Sequence, residues 1–124
     1  MDKLDRLQQI NKNFQVDRPT MHSRDSEMEI LAISILGETM ELLEAIKEGS
    51  DKDVATELAD VGLYVLTAFN VMGMNAYDEM REKVARNIVK YPAKYFTNGL
   101  TYDEGAKRAK TEWIDIKGED EFYQ

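Results

Sequence analysis

The chain has 124 residues, 43% of them hydrophobic, which is enough for one modest core in a single domain. Its 24 Asp and Glu outnumber 16 Lys and Arg, giving a formal net charge of -8 without any basic block, and this argues against sequence-independent binding to nucleic acid. Cysteine is absent, which excludes disulfides, thiolate-bound zinc and a cysteine nucleophile and is compatible with a reducing compartment.

The opening MDKLDRLQQINK is polar and amphipathic, without the apolar region of a secretory signal. No stretch long enough to span a bilayer is free of charge. A soluble, cytoplasmic protein with neither membrane nor nucleic-acid partners is expected.

Leu4, Leu7 and Ile10 predict a first helix running to about Phe14, with Phe14 in the core. A loop follows, carrying Pro19 and His22. Ser23 or Asp25 can cap a second helix over residues 25–48, whose stripe is Leu31, Ile35, Leu42 and Ala45. Gly49 is expected to close that helix in the left-handed conformation, and Ser50 or Asp51 to cap a third helix carrying Val54, Leu58, Val61, Val65, Ala68 and Phe69.

Gly73 ends the third helix, and Asn75 can cap a fourth over residues 76–91, stopped by Pro92. Beyond it a short helix is predicted over residues 101–110, opened by a Thr101 to Glu104 capping box and followed by a charged tail that includes Trp113. Apolar residues recur at three and four rather than at two, so the predicted architecture is all-α, with a four-helix-bundle core.

Two acidic pairs stand out because Glu38 and Asp60, and likewise Glu41 and Glu57, are equidistant from Gly49. In an antiparallel hairpin Glu38 faces Asp60 and Glu41 faces Glu57. A lone Glu-x-x-Glu is usually a solvated helix face, but these acids share stripes with apolar residues: Leu31, Ile35, Leu42 and Ala45 on one helix, Val54, Val61 and Tyr64 on the other.

Four acids facing each other in a bundle repel and are costly to desolvate without a cation between them. Residues three apart are separated by about 4.5 Å along the axis and packed helices by roughly 8 to 10 Å, so the carboxylates can converge on one or two ions. An all-oxygen ligand set favours magnesium, or manganese, over zinc or copper. A carboxylate-bridged di-iron site would instead need Glu-x-x-His pairs, and His22, the single histidine, lies outside the helices.

Magnesium commonly shares phosphate oxygens with its protein ligands, so a phosphorylated substrate is implied. Lys83 and Asn87, four apart on the fourth helix with Arg86 and Lys90 beside them, offer a basic face; Lys83 can neutralise phosphate and Asn87 can donate and accept. The alternative is a solvated face balancing Glu79 and Glu82.

In these features the chain resembles the MazG-like all-α nucleoside triphosphate pyrophosphohydrolases. That family pairs Glu-x-x-Glu on one helix with Glu-x-x-Asp on the next, matched here by GETMELLEAIKEG and ATELADVGLYVL, and then carries Lys, Asn and Lys-Tyr-Pro, matched by EKVARNIVKYP. Gly37 stands where many members have a further acid, so one or two metal ions are both compatible with the pattern. The resemblance implies a pyrophosphohydrolase core over residues 1–96, with a C-terminal extension over 97–124.

It also implies magnesium-dependent hydrolysis between the α and β phosphates, releasing a nucleoside monophosphate and pyrophosphate. Glu38, Glu41, Glu57 and Asp60 would be metal ligands, with Glu38 or Glu41 orienting or deprotonating the attacking water; Lys83 and Asn87 would bind substrate. The substrate would be a noncanonical or excess (deoxy)nucleotide, and the assembly a dimer or dimer of dimers. Two alternatives stay open: a dUTP, dCTP or phosphoribosyl-ATP hydrolase of the same superfamily, and a catalytically silent helical oligomerisation module.

Overall fold

The computed structural model describes residues 2–18, 23–96 and 102–117, and His22 and Thr101 lie outside them. The described residues form five α-helices and one 3-10 turn, with no strand: α1 (Lys3–Val16), α2 (Arg24–Glu48), α3 (Asp51–Met72), α4 (Ala76–Lys90), the 3-10 turn Ala93–Phe96, and α5 (Tyr102–Lys117). The chain divides into two compact units, Met1–Glu79 and Met80–Gln124.

Local caps set the helix starts. Asp2 accepts from the Asp5 amide at 2.8 Å, Ser23 from Ser26 at 3.3 Å, and Asn75 from Asp78 at 2.9 Å. At α3 the capping is reciprocal: Ser50 accepts from the Asp53 amide at 3.2 Å, and Asp53 accepts from the Ser50 amide at 3.0 Å. The Asp53 carboxylate also accepts from the Ser50 hydroxyl at 3.1 Å, and the bonds it accepts from the Ser50 amide and hydroxyl hold its pKa below the usual range.

Gly73 ends α3 in the left-handed region at φ 69. Gly49 does not do so for α2: it is extended, at φ -97 and ψ 177, because the next residue, Ser50, is already the extended N-cap of α3. Glycine is needed there for space, since a Cβ would lie 2.9 Å from the Ala45 carbonyl oxygen and 3.0 Å from Asp53 Cβ. Gly62, by contrast, has open space where its Cβ would be. Gly49→Ala is therefore expected to destabilise the protein by about 1–3 kcal/mol, the usual range for overpacking, whereas Gly62→Ala stabilises it by up to about 1 kcal/mol through helix propensity. Urea unfolding midpoints check both signs.

In the first unit α3 packs against both α2 and α1. Its apolar stretch is long enough, by length and composition alone, to cross a membrane; it contains Glu57 and Asp60, which a bilayer would penalise. The face of α1 turned to α3 is polar. Gln8 Nε2 donates to Asn70 Oδ1 at 2.9 Å and to the Met74 carbonyl at 2.8 Å, while its Oε1 accepts from the Ala76 amide at 2.8 Å. Asn11 donates to Thr67 Oγ1 at 2.8 Å. Gln8, Asn11 and Thr67 are all buried, and their partners offset the desolvation cost.

This amide network displaces the expected apolar face of α1: Leu7 and Ile10 are exposed, and Phe14 is 50% exposed rather than in the core. The Arg18 guanidinium covers the Phe14 ring at 3.9 Å. Leu58, expected on the packed stripe of α3, is also exposed.

In the second unit the 3-10 turn packs on α5, and the Phe96 and Tyr102 rings stand 5.4 Å apart. The helix predicted over residues 101–110 runs further, to Lys117, so the segment taken as tail is helical through Trp113.

Candidate metal centre

Helical spacing explains why the acids of α2 meet α3. Glu38 and Glu41 lie one turn apart on the stripe of Leu31, Ile35, Leu42 and Ala45; Leu31 is buried, the other apolar members and Glu38 are half-buried, and Glu41 is exposed. On α3 Glu57 and Asp60 share their stripe with Val54, Val61 and Tyr64, all half-buried. The tight turn through Gly49 and Ser50 then brings the two pairs to one level.

One carboxylate oxygen each from Glu38, Glu41 and Glu57 lie within 4.8 Å of one another. Asp60 stands outside this triad, yet its charge acts on both Glu38 and Glu57. Glu41 is the common member of the cluster, acting at close range on both Glu38 and Glu57.

The electrostatics are those of like charges held close together. Contact with Glu41 pushes the Glu38 carboxyl above its usual range, helped by burial and by the charges of Glu41, Asp60 and Glu57. Burial comes first for Glu57, which is also raised, followed by the charges of Glu41 and Asp60, its contact with Glu41, and the charge of Asp53. Neither has a Lys or Arg among these influences.

Among the described residues, Oε2 of Glu38 and Oε2 of Glu57 are the buried side-chain oxygens that accept no hydrogen bond. An unpartnered buried carboxylate oxygen is costly. Two of them on members of one carboxylate cluster, an all-oxygen ligand set, fit a hard divalent cation, magnesium or manganese, and give no soft ligand for zinc or copper. Glu38, Glu41 and Glu57 would hold it, with Asp60 within reach of its charge.

Beside the triad runs an open groove lined by Glu41, Glu44, Glu48, Asp53 and Glu57. Sequence reasoning did not single out Glu44, Glu48 or Asp53. The signal was present in the spacing of Glu41, Glu44 and Glu48 at three and four along one side of α2. So acidic a groove repels a polyphosphate unless a cation lies between them.

Lys83 and Asn87 belong to the second unit, one turn apart on α4, with Lys83 exposed and Asn87 half-buried. Arg86 is engaged locally, donating to Glu82 at 2.6 Å, as expected of a solvated face. The Lys90 ammonium sits 4.9 Å from the centre of the Tyr91 ring.

A family model described as the MazG nucleotide pyrophosphohydrolase domain matches residues 26–95. That range takes in both acidic pairs, Lys83 and Asn87. No match was found among curated proteins or among solved structures.

Proposed function

This chain belongs to the MazG nucleotide pyrophosphohydrolase family, and we propose that it hydrolyses a nucleoside triphosphate between the α and β phosphates, with magnesium held by Glu38, Glu41 and Glu57 and with Asp60 adding its charge beside them. The observation that carries this reading is the pair of buried, unpartnered oxygens on Glu38 and Glu57 inside one cluster of carboxylates. When bound, the metal supplies charge neutralisation for the triphosphate and positions a water at the α-phosphorus.

The chain's own groups do the rest. Glu38 or Glu41 takes the proton of the attacking water; Glu41 is the more open of the two to solvent. Lys83 neutralises phosphate charge, and Asn87 donates to phosphate or sugar. Products are a nucleoside monophosphate and pyrophosphate. The acidic, cysteine-free composition supports a cytoplasmic setting, and exposed apolar side chains on α2 support assembly with a second copy.

The test is a panel of ribo- and deoxyribonucleoside triphosphates, canonical and noncanonical, including dUTP and dCTP and extended to phosphoribosyl-ATP, with magnesium present. Pyrophosphate is expected from at least one. No pyrophosphate from any of them overturns the proposal.

A further inference from the structure

Away from the carboxylates, the first unit holds a pocket of about 280 Å³ between α1 and the turn that joins α3 to α4. Asp5, Gln8, Gln9 and Lys12 line it from one stripe of α1, and Asn70 and Asn75 line it from the end of α3 and the turn. Apart from Gly73 and Met74, every lining residue is polar. Asn70 stands ten residues beyond Asp60 on α3, about 15 Å along the axis, and the pocket shares no residue with the carboxylate triad or with the acidic groove.

The amides of the pocket are already held in place. Gln8 is buried and spends its side chain on Asn70, the Met74 carbonyl and the Ala76 amide, while Asn70 returns a bond to the Gln8 carbonyl at 3.2 Å. Asn75 donates to Asp5 Oδ1 at 2.9 Å and so fixes that carboxylate. Asp5 is half-buried and makes no ion pair among the described residues; Lys12, two turns further along α1, makes none either. One carboxylate and one ammonium therefore border the same pocket without neutralising each other. A half-buried carboxylate with no cation is costly, and a cationic group on a ligand relieves that cost. A simple anion is opposed by Asp5 and a simple cation by Lys12. A zwitterion satisfies both.

We propose that this pocket binds a small polar zwitterion of amino-acid size, with its ammonium on Asp5 and its carboxylate on Lys12. The volume lies at the small end of ligand pockets, which sets the size. Because Gln8, Asn70 and Asn75 are ordered by their own bonds, binding costs little in ordering them. The Lys12 side chain is long, exposed and unpaired, so it can close over the ligand. Gln9 donates to Asn13 at 2.9 Å and keeps its acceptor oxygen for a polar group of the ligand. The site uses neither metal nor nucleotide and is independent of the hydrolysis proposed above.

The test is a titration of the full chain, without magnesium or nucleotide, with glycine, β-alanine, L-serine, L-asparagine and L-glutamine. Binding is followed by the side-chain amide NMR signals of Gln8, Asn70 and Asn75. At least one of these zwitterions is expected to shift the signals to saturation with a Kd in the millimolar range or below. Lys12→Ala and Asp5→Asn are each expected to weaken that binding by about tenfold or more, the scale of one charge-assisted hydrogen bond. Lys12 is exposed, so Lys12→Ala keeps the fold, which an unchanged urea midpoint verifies. Acetate and ethylammonium, each carrying one of the two charges, are expected to leave the signals unmoved. Three results overturn the proposal: no saturable shift from any of the zwitterions, affinity unchanged in Lys12→Ala, or saturation of the same signals by acetate or ethylammonium.

Discussion

Glu57→Gln is expected to lower nucleotide hydrolysis by about a hundredfold or more, the usual scale for removing a charge that stabilises the reacting phosphate, and to raise the melting temperature of the magnesium-free protein at neutral pH. Both effects have one cause. Glu57 carries a buried, unpartnered oxygen and sits among the charges of Glu41, Asp60 and Asp53, which raise its pKa after burial itself. Glutamine keeps the shape and removes the charge, so the repulsion that a cation would otherwise offset is gone. A merely structural glutamate would lose stability on the same substitution. Turnover equal to wild type, or a lower melting temperature, contradicts the role assigned to Glu57. Asp60→Asn is expected to act in the same direction, because Asp60 raises both Glu38 and Glu57.

Magnesium is expected to raise the melting temperature, and to raise it more at neutral pH than near pH 5. At free magnesium a hundredfold above Kd, linkage gives about 2.7 kcal/mol, roughly 10 °C for a domain of this size. The pH dependence follows from the raised carboxyls. Glu38 and Glu57 hold protons in the native state to higher pH than in the unfolded chain, so above the ordinary glutamate value of 4.5 the native state binds more protons. Stability of the magnesium-free protein therefore falls as pH rises through that interval.

Asp53 works the other way. Its native pKa is lowered, so its contribution is present above the ordinary aspartate value and is lost only as pH falls through the lowered one, outside the interval of Glu38 and Glu57. Magnesium displaces protons from the raised carboxyls, so its benefit grows as they ionise. Calorimetric scans with and without magnesium measure this, and Glu38→Gln/Glu57→Gln should flatten the difference. A magnesium effect independent of pH, or absent, contradicts the account.

The features that sequence made legible are those governed by helical spacing and by local caps. The three-four recurrence placed α2 and α3, the distances from Gly49 put Glu41 beside Glu57, and Ser23, Ser50, Gly73 and Asn75 all act as helix termini as their types suggest. Gly49 was misread because a glycine after a helix usually takes positive φ; two consecutive cap residues left it extended, and its role is to leave room for Ala45 and Asp53.

The polar face of α1 was not legible at all. Hydrophobic periodicity ranks Leu7 and Ile10 above Gln8 and Asn11, and only the tertiary pairing with Asn70 and Thr67 makes the amides the better residues to bury. Within the site, spacing gave four acids at one level, but side-chain placement draws three into the triad and leaves Asp60 acting through its charge. The extension of α5 to Lys117 was legible in the same spacing and was passed over among the charged residues: Ala106, Ala109, Trp113 and Ile116 recur at three and four.

The central claim is that water attacks the α-phosphorus under the control of these carboxylates. It is tested most directly by running the magnesium reaction in water enriched in oxygen-18 and weighing both products. Label in the nucleoside monophosphate, none in the pyrophosphate, and loss of the signal in Glu41→Gln is the predicted result. Label in pyrophosphate or inorganic phosphate, or unchanged labelling in Glu41→Gln, contradicts it.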